Sequence, residues 1–146
     1  MAAHDRIMGA LLRGLQAHHP QAVVHDRARV DAIGDCADPR IGGYVPDAVV
    51  EMTVKGRPHV VLLEFSRGLA EGATEHSFKV ATKTQAYAST LRHFRRSRGP
   101  GVEVLQQTYI MSCHGKVDMT RWAEQLGWWG VSGKALRSIL ADCMTA

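Results

Sequence analysis

One stretch decides the fold: PDAVVEMTVKGRPHVVLLEFS, residues 46–66. It contains two runs of strand-forming residues, 47–54 and 59–66, separated by the turn-forming residues Lys55-Gly56-Arg57-Pro58. In the second run, apolar side chains alternate onto both faces of the expected strand. The stretch therefore predicts a β-hairpin whose second strand is covered on both sides.

The flanking sequence supplies the other elements. Residues 5–18 carry leucines and an isoleucine at helical spacing and precede Pro20, which predicts a first amphipathic helix. We further expect a strand at 21–30, a loop at 34–43, a long helix at 72–97 ended by Gly99-Pro100-Gly101, a strand at 102–112, and short helices at 120–126 and 132–144.

The resulting order is α-β-β-β-α-β followed by two small helices. A strand, a long crossover helix and a further strand predict a parallel pair, and such crossovers are almost always right-handed. A mixed central sheet flanked by helices satisfies this pattern, so the expected fold class is α/β. No repeat or linker-like tract divides the chain, and we expect one domain over residues 1–146.

Composition excludes several classes of protein. Of the 146 residues, 45% are hydrophobic and 22% are charged, values typical of a globular chain and not of a disordered or fibrous one. No apolar run approaches the roughly 18 residues that a membrane span needs, so we expect no membrane partner. Charged residues interrupt the first segment, which does not resemble a signal peptide. The three cysteines, Cys36, Cys113 and Cys143, lie far apart and predict reduced thiols and an intracellular location.

The net charge of +4 gives a mild indication of a polyanionic partner. Much of the positive charge gathers in one run near the end of the long helix: Arg92, His93, Arg95, Arg96 and Arg98. Such a run is either a solvated helix face or a surface that contacts the phosphates of nucleic acid.

Two acidic residues occupy unusual positions in the predicted hairpin. Asp47 opens its first strand and Glu64 lies near the end of the second, among apolar neighbours. Carboxylates that converge in an apolar setting repel each other unless a cation lies between them, and Mg²⁺ commonly takes one or two carboxylates. The alternative is that Asp47 caps a turn while Glu64 pairs with Arg67 or Lys55.

The long helix places lysines on its core-facing stripe. Lys79, Lys83 and Tyr87 are four residues apart and share a face with Leu91. A lysine on such a stripe needs an anion or must extend its ammonium group to water. Lys83 is therefore a candidate partner of the carboxylates. The alternative is that its aliphatic chain packs beside a core tyrosine while its ammonium group extends to water.

These residues together resemble a known family. Pro46-Asp47, with Glu64-Phe65-Ser66 seventeen residues beyond Asp47, resembles the PD-(D/E)XK restriction-endonuclease-like nucleases, whose core has the same α-β-β-β-α-β order. Ser66 stands at the motif lysine, and Lys83-Thr84-Gln85-Ala86-Tyr87 is similar to the K-x-x-x-Y of one subgroup with a migrated lysine. That subgroup is the restriction-like endonuclease domain of site-specific non-LTR retrotransposons.

Two more segments resemble this subgroup. His4-Asp5 is similar to its R-H-N motif, although Ala3 stands where the arginine would be. Gly115-Lys116-Val117 and the later Leu126-Gly127 resemble its C-terminal end. The preceding zinc knuckle has no counterpart, so the resemblance implies a domain excised from a polyprotein that also contains a reverse transcriptase.

The resemblance implies a metal-dependent DNA endonuclease that nicks its target to prime reverse transcription, in the nucleus if the element is eukaryotic. Asp47 and Glu64 would hold Mg²⁺ or Mn²⁺, and Lys83, or its rival Lys79, would orient the attacking water. Tyr87 would support the lysine, and Ser66 would either bond a metal-bound water or cap its strand. Arg92, Arg95, Arg96, Arg98 and Lys79 are the expected DNA-binding residues.

Two other functions are compatible with the same residues. Ser66 and the missing arginine before His4 are also expected of a catalytically inactive relative that binds nucleic acid. A free-standing structure-specific nuclease that resolves DNA junctions is the third possibility. The histidines show no zinc-ligand spacing, and Trp122, Trp128 and Trp129 are expected to pack the C-terminal helices on the sheet.

Overall fold

The computed structural model describes residues 3–26, 46–69, 88, 91, 92, 94–112 and 115–146. Its elements, in chain order, are helix α1 (Ala3–His18), strands β1 (Val23–Asp26), β2 (Ala48–Val54), β3 (Arg57–Leu69) and β4 (Glu103–Ser112), and helices α2 (Met119–Trp128) and α3 (Gly133–Thr145). Residues 88, 91, 92 and 94–98 are also helical. Within the described ranges, no helix is long and apolar enough to cross a membrane.

The four strands form one open, mixed sheet in the order β1-β2-β3-β4. β1 pairs antiparallel with β2, and β2 pairs antiparallel with β3. Since the sheet is mixed, the remaining pair, β3 with β4, is parallel. The predicted α/β class with a mixed sheet is therefore confirmed.

The β2–β3 hairpin closes through a two-residue turn. Val54 pairs with Arg57, and the turn residues Lys55 and Gly56 have φ of 51° and 78°. Positive φ at both turn positions is the geometry that matches the twist of the flanking strands, and glycine adopts it without steric cost. The predicted hairpin is confirmed, with a shorter connection than the four residues expected.

The predicted elements differ from the structure mainly at their ends. Within the described range, β1 covers only Val23–Asp26 of the expected strand 21–30. β3 extends to Leu69, so the expectation that it closes at residue 66 is wrong. The expected helices at 5–18, 120–126 and 132–144 correspond to α1, α2 and α3. Most of the predicted helix 72–97 and the predicted loop 34–43 lie outside the described residues.

The chain divides into two compact units. The helical unit comprises Met1–Gln21, Phe65–Glu71 and Tyr109–Ala146, and the sheet unit comprises Ala22–Glu64 and Gly72–Thr108. The expectation of a single domain over residues 1–146 stays a prediction.

The core of the helical unit combines α1, α2, α3 and the end of β4. α1 buries its apolar stripe, including Leu11 and Leu15. Trp122 Nε1 donates to the Ile110 carbonyl at 2.9 Å, and Trp129 Nε1 donates to the Tyr109 hydroxyl at 3.2 Å. The expectation that Trp122 and Trp129 pack the C-terminal helices is confirmed; Trp128 is half-buried.

One hydrophobic cluster of the sheet unit lies on one face of the sheet. Val49 pairs with Leu62 in the β2–β3 ladder, and directly paired residues share a face. Val60, Phe94 and Val104 complete this cluster, against which Leu91 packs. The helical residues 91 and 94 therefore cover the sheet face that carries Val49 and Leu62.

Candidate functional site

Asp47 and Glu64 are buried acidic residues, with 6% and 7% of their surfaces exposed. Asp47 directly precedes β2, and Glu64 lies inside β3. The run Val60–Phe65 is buried on both faces, so Glu64 occupies a position that would otherwise suit an apolar side chain. Such burial costs free energy unless polar groups or a cation compensate the charge.

The strand register relates the two carboxylates to each other. Ala48 is the last β2 residue in the ladder toward this end, and it pairs with Leu63. Extending the antiparallel register by one residue places Asp47 opposite Glu64. Residues two apart along a strand share a face, so the pair lies on the same side of the sheet as Val49 and Leu62. The expected convergence of Asp47 and Glu64 agrees with this register.

The hairpin geometry tests one alternative for Glu64, an ion pair with Lys55. Lys55 lies in the turn, and Glu64 is seven residues along β3 from Arg57. At about 3.3 Å per residue the separation is roughly 23 Å, far beyond an ion pair. Glu64 therefore does not pair with Lys55. Both carboxylates do interact with other groups of the protein.

Ser66 is also buried, with 6% of its surface exposed. It follows Glu64 by two residues, so the two side chains leave β3 on the same face. Because β3 continues to Leu69, the alternative that Ser66 caps the end of the strand is wrong. A neutral hydroxyl therefore occupies the position at which the nuclease motif has a lysine.

His4 contacts Phe65 within the helical unit. Its Nε2 donates to the Phe65 carbonyl at 2.9 Å, and its ring centroid lies 5.3 Å from that of Phe65. Nδ1 lies 3.2 Å from Asp5 Oδ1. Sequence reasoning placed His4 at a helix start, but the long-range contact with Phe65 had no signal in residue spacing.

The lysines and the tyrosine of the predicted site, Lys79, Lys83 and Tyr87, lie outside the described residues. Their convergence with Asp47 and Glu64 stays a prediction. The described residue of that stripe is Leu91, four residues after Tyr87, and it packs on the core cluster.

The four candidate DNA-binding arginines that the structure describes are exposed, but two of them have identified partners in the sheet unit. Arg95 Nη2 donates to the Val104 carbonyl at 3.1 Å. Arg98 Nη2 lies 3.6 Å from Glu51 Oε1, and its guanidinium lies 5.7 Å from the centre of the Phe94 ring. Glu51 Oε2 in turn accepts from His25 Nε2 at 2.8 Å. Sequence reasoning missed this Glu51 network, because nothing in the spacing links β1, β2 and residue 98.

The donor set at the carboxylate pair fits a hard divalent cation. Carboxylate oxygens are preferred by Mg²⁺ and Mn²⁺, and Mg²⁺ usually keeps several waters beside one or two carboxylates. In the part of the chain that the structure describes, no three His, Cys, Asp or Glu side chains group as metal ligands. If a divalent cation binds at this pair, Asp47 and Glu64 are the described side chains that would hold it, with the remaining positions left to water.

A cleft of about 350 Å³ in the helical unit is lined by other residues. They belong to α1 and α3: Arg13, Gly14, Ala17, His18, Ala135, Ser138, Ile139 and Asp142. None of the sequence-predicted site residues lies in this cleft.

Comparisons with protein-family models, curated proteins and solved structures give no match to this chain. The class that the fold itself defines is an α/β protein with a four-stranded mixed sheet. An endonuclease function therefore stays a prediction from the motif residues and from the geometry of those that the structure describes.

Proposed function

We propose that this chain is a metal-dependent DNA endonuclease domain with the restriction-endonuclease-like fold. The observation that carries the proposal is the register of two buried carboxylates: Asp47 precedes β2 opposite Glu64 of β3. Two carboxylates that face each other in a buried setting repel, and a divalent cation between them would offset that repulsion. An ordinary structural ion pair joins one acidic and one basic side chain, so it gives no reason for two acidic side chains on the same face of the sheet.

The chemistry assigns a role to each residue. A bound Mg²⁺ or Mn²⁺ would lower the pKa of a coordinated water and polarise the phosphate. Asp47 and Glu64 would hold that cation through their carboxylate oxygens. Lys83 orients the attacking water and offsets negative charge on the phosphoryl oxygens, and Tyr87 supports its ammonium group. Ser66, buried on the Glu64 face, donates a hydrogen bond to a water in the site.

The parent of this domain, under the same proposal, is a polyprotein of a site-specific retrotransposon. The nick that the domain makes in target DNA supplies the primer for a reverse transcriptase in the same polyprotein. The order of the motifs from His4 to Leu126-Gly127 supports this assignment.

A catalytically inactive DNA-binding relative is the second candidate. The observation in its favour is Ser66, a neutral buried residue at the position of the motif lysine. The two candidates differ in one measurable property, since only the first requires cleavage that depends on a divalent metal.

Nicking of supercoiled plasmid in Mn²⁺ tests the proposal. We expect nicking by the wild type and its loss in Asp47→Asn and Glu64→Gln, while the half-exposed control Glu103→Gln stays active. Calorimetric titration with Mn²⁺ gives an independent readout: the wild type binds the ion, and neither site variant does. A wild type that binds DNA without nicking it supports the inactive relative.

A further inference from the structure

The cleft between helices α1 and α3 has the size of a small-molecule site. Its volume is about 350 Å³, and such sites begin at about 300 Å³. Its floor is apolar and closely packed, because Ile139 is only 5% exposed and a Cβ added to Gly14 would lie 2.6 Å from Ile139 Cγ1. Ala17 and Ala135 also line the cleft, and their small side chains leave room for a ligand.

Two exposed side chains of opposite charge line the same cleft, Arg13 of α1 and Asp142 of α3. Among the residues that the structure describes, neither side chain takes part in an ion pair. Both charges act on the neighbouring thiol of Cys143: burial is the main cause that raises its pKa, Asp142 raises it further and Arg13 lowers it. The cleft therefore presents a cation and an anion that do not pair with each other.

The two helices that form the cleft are antiparallel. Gly14 of α1 packs on Ile139 of α3. Nearer the start of α1, the Ile7 carbonyl accepts a hydrogen bond from Cys143 Sγ at 3.9 Å. Residue numbers therefore fall along α1 in the direction in which they rise along α3.

This arrangement explains why the two charges do not meet. Helical side chains lean toward the N-terminus of their own helix. Arg13 follows this rule, since its Nη1 lies 3.2 Å from the point at which a Cβ of Gly9 would stand. By the same rule Asp142 leans toward Ser138. Because the helices are antiparallel, the guanidinium and the carboxylate lean in opposite directions along the cleft.

We propose that this cleft binds a small zwitterion with an apolar side chain, the chemical class of the free α-amino acids. The ligand carboxylate accepts hydrogen bonds from the Arg13 guanidinium, and the ligand ammonium group donates to the Asp142 carboxylate. The apolar side chain of the ligand packs on Ile139. A ligand with a single charge would leave one of the two protein charges partly desolvated without a partner, which costs free energy. This site goes beyond the proposed endonuclease function and does not depend on it.

Matched ligands test the two charge contacts separately. The full chain, isotopically labelled for amide spectra, is titrated with L-leucine, with isocaproate, which lacks the ammonium group, and with isoamylamine, which lacks the carboxylate. We expect L-leucine to shift the amide resonances of Gly14, Ala17 and Ala135 saturably at millimolar concentrations. Each analogue should bind at least about tenfold more weakly, because it loses one charge-assisted hydrogen bond.

Two variants identify which side chain holds which charge of the ligand. In Arg13→Gln, we expect L-leucine to lose at least about tenfold in affinity and to bind as weakly as isoamylamine does. In Asp142→Asn, it should lose as much and bind as weakly as isocaproate does. Arg137→Gln is the matched control, because Arg137 is exposed on α3 and does not line the cleft. This control should keep the wild-type affinity.

A smaller and a larger member of the class, L-alanine and L-phenylalanine, are titrated in the same way. The absence of saturable shifts with all three amino acids overturns the inference. Equal affinity for L-leucine and its two analogues also overturns it, since that result would show an apolar groove that does not recognise charge. These comparisons use the wild type, so they decide the outcome even if a variant does not fold.

Discussion

Arg98 joins the end of the helical residues 94–98 to strand β2, with its Nη2 3.6 Å from Glu51 Oε1. The second oxygen of the same carboxylate accepts a hydrogen bond from His25 of β1 at 2.8 Å. Glu51 thereby connects three segments of the sheet unit that are distant in sequence.

Removing Glu51 should lower stability more than removing an exposed paired glutamate. Glu51→Ala loses both partners in a half-buried setting, and we expect a loss of about 1–2 kcal/mol in the free energy of unfolding. Glu103, whose carboxylate lies 3.2 Å from Arg57 with both side chains about half exposed, is the matched control. Glu103→Ala should cost about 0.5 kcal/mol or less. Urea unfolding measures both, and equal losses would contradict the connecting role of Glu51.

The carboxylate pair should weaken the metal-free protein. Opposing carboxylates repel, so neutralising one of them relieves the repulsion. We expect Asp47→Asn to leave the metal-free free energy of unfolding unchanged or to raise it by about 1 kcal/mol. Thermal melting in a chelator measures this. A clear loss of stability would show that Asp47 is held by a structural ion pair.

The proposed catalytic role of Lys83 can be tested directly. Because Lys83 lies four residues before Tyr87, we expect Lys83→Ala to reduce Mn²⁺-dependent nicking far more than Lys79→Ala. Lys83→Arg should restore only part of the activity, since a planar guanidinium does not reproduce a compact ammonium group. Nicking rates at saturating Mn²⁺ provide the comparison. The reverse order of the two alanine variants would assign the role to Lys79.

The elements that sequence predicted best are those with strong local signals. The hairpin follows from alternating β-formers around Lys55-Gly56, and the C-terminal helices follow from their periodic apolar residues. The end of β3 could not be predicted, because Ser66, Arg67 and Gly68 have weak strand preferences and are placed by tertiary pairing.

The candidate site was predictable only in part, because tertiary contacts leave no local signal in the sequence. Asp47 and Glu64 stood out as acids in apolar runs, and the hairpin register relates them. The contacts of His4 with Phe65 and of Arg98 with Glu51 join residues far apart in the chain. No pattern of residue spacing encodes such contacts, because they depend on how the elements pack.

Burial should protect Cys143 from modification. The thiol is buried, and desolvation is the main cause that raises its pKa from 9.0 to about 11. The reactive species is the thiolate, so at pH 8 we expect Cys143 to react with iodoacetamide at least about tenfold more slowly in the native protein than in urea. Peptide mass spectrometry measures the alkylation rate of Cys143 in both states, and the rate in urea serves as the control for the native rate. Similar rates would show that α3 opens readily.

The raised pKa of Cys143 also has a consequence for stability. The folded thiol keeps its proton to a higher pH than the unfolded one, so the unfolded state binds fewer protons between pH 9.0 and about 11. The contribution of this group is therefore fully present below pH 9.0 and is lost as the pH rises through that range. We expect the urea midpoint to fall less steeply above pH 9 in Cys143→Ala than in the wild type.

The packing of α1 against α3 depends on Gly14. A Cβ at this position would lie 2.6 Å from Ile139 Cγ1 and 3.0 Å from its Cδ1, closer than van der Waals contact, so the Ile139 side chain or the helices would have to shift. We expect Gly14→Ala to lower the free energy of unfolding by about 1–3 kcal/mol, despite the better helix propensity of alanine. Gly127, a helical glycine of α2 at which an added Cβ would meet no other element among the described residues, is the matched control. Gly127→Ala should raise stability by about 0.5–1 kcal/mol, because only the helix propensity changes.

Chemical unfolding of both variants gives the comparison. A double variant tests the contact itself: Ile139→Ala should cost less free energy of unfolding in the Gly14→Ala background than in the wild type. Additive losses in that double variant would show that the two helices do not meet at these residues.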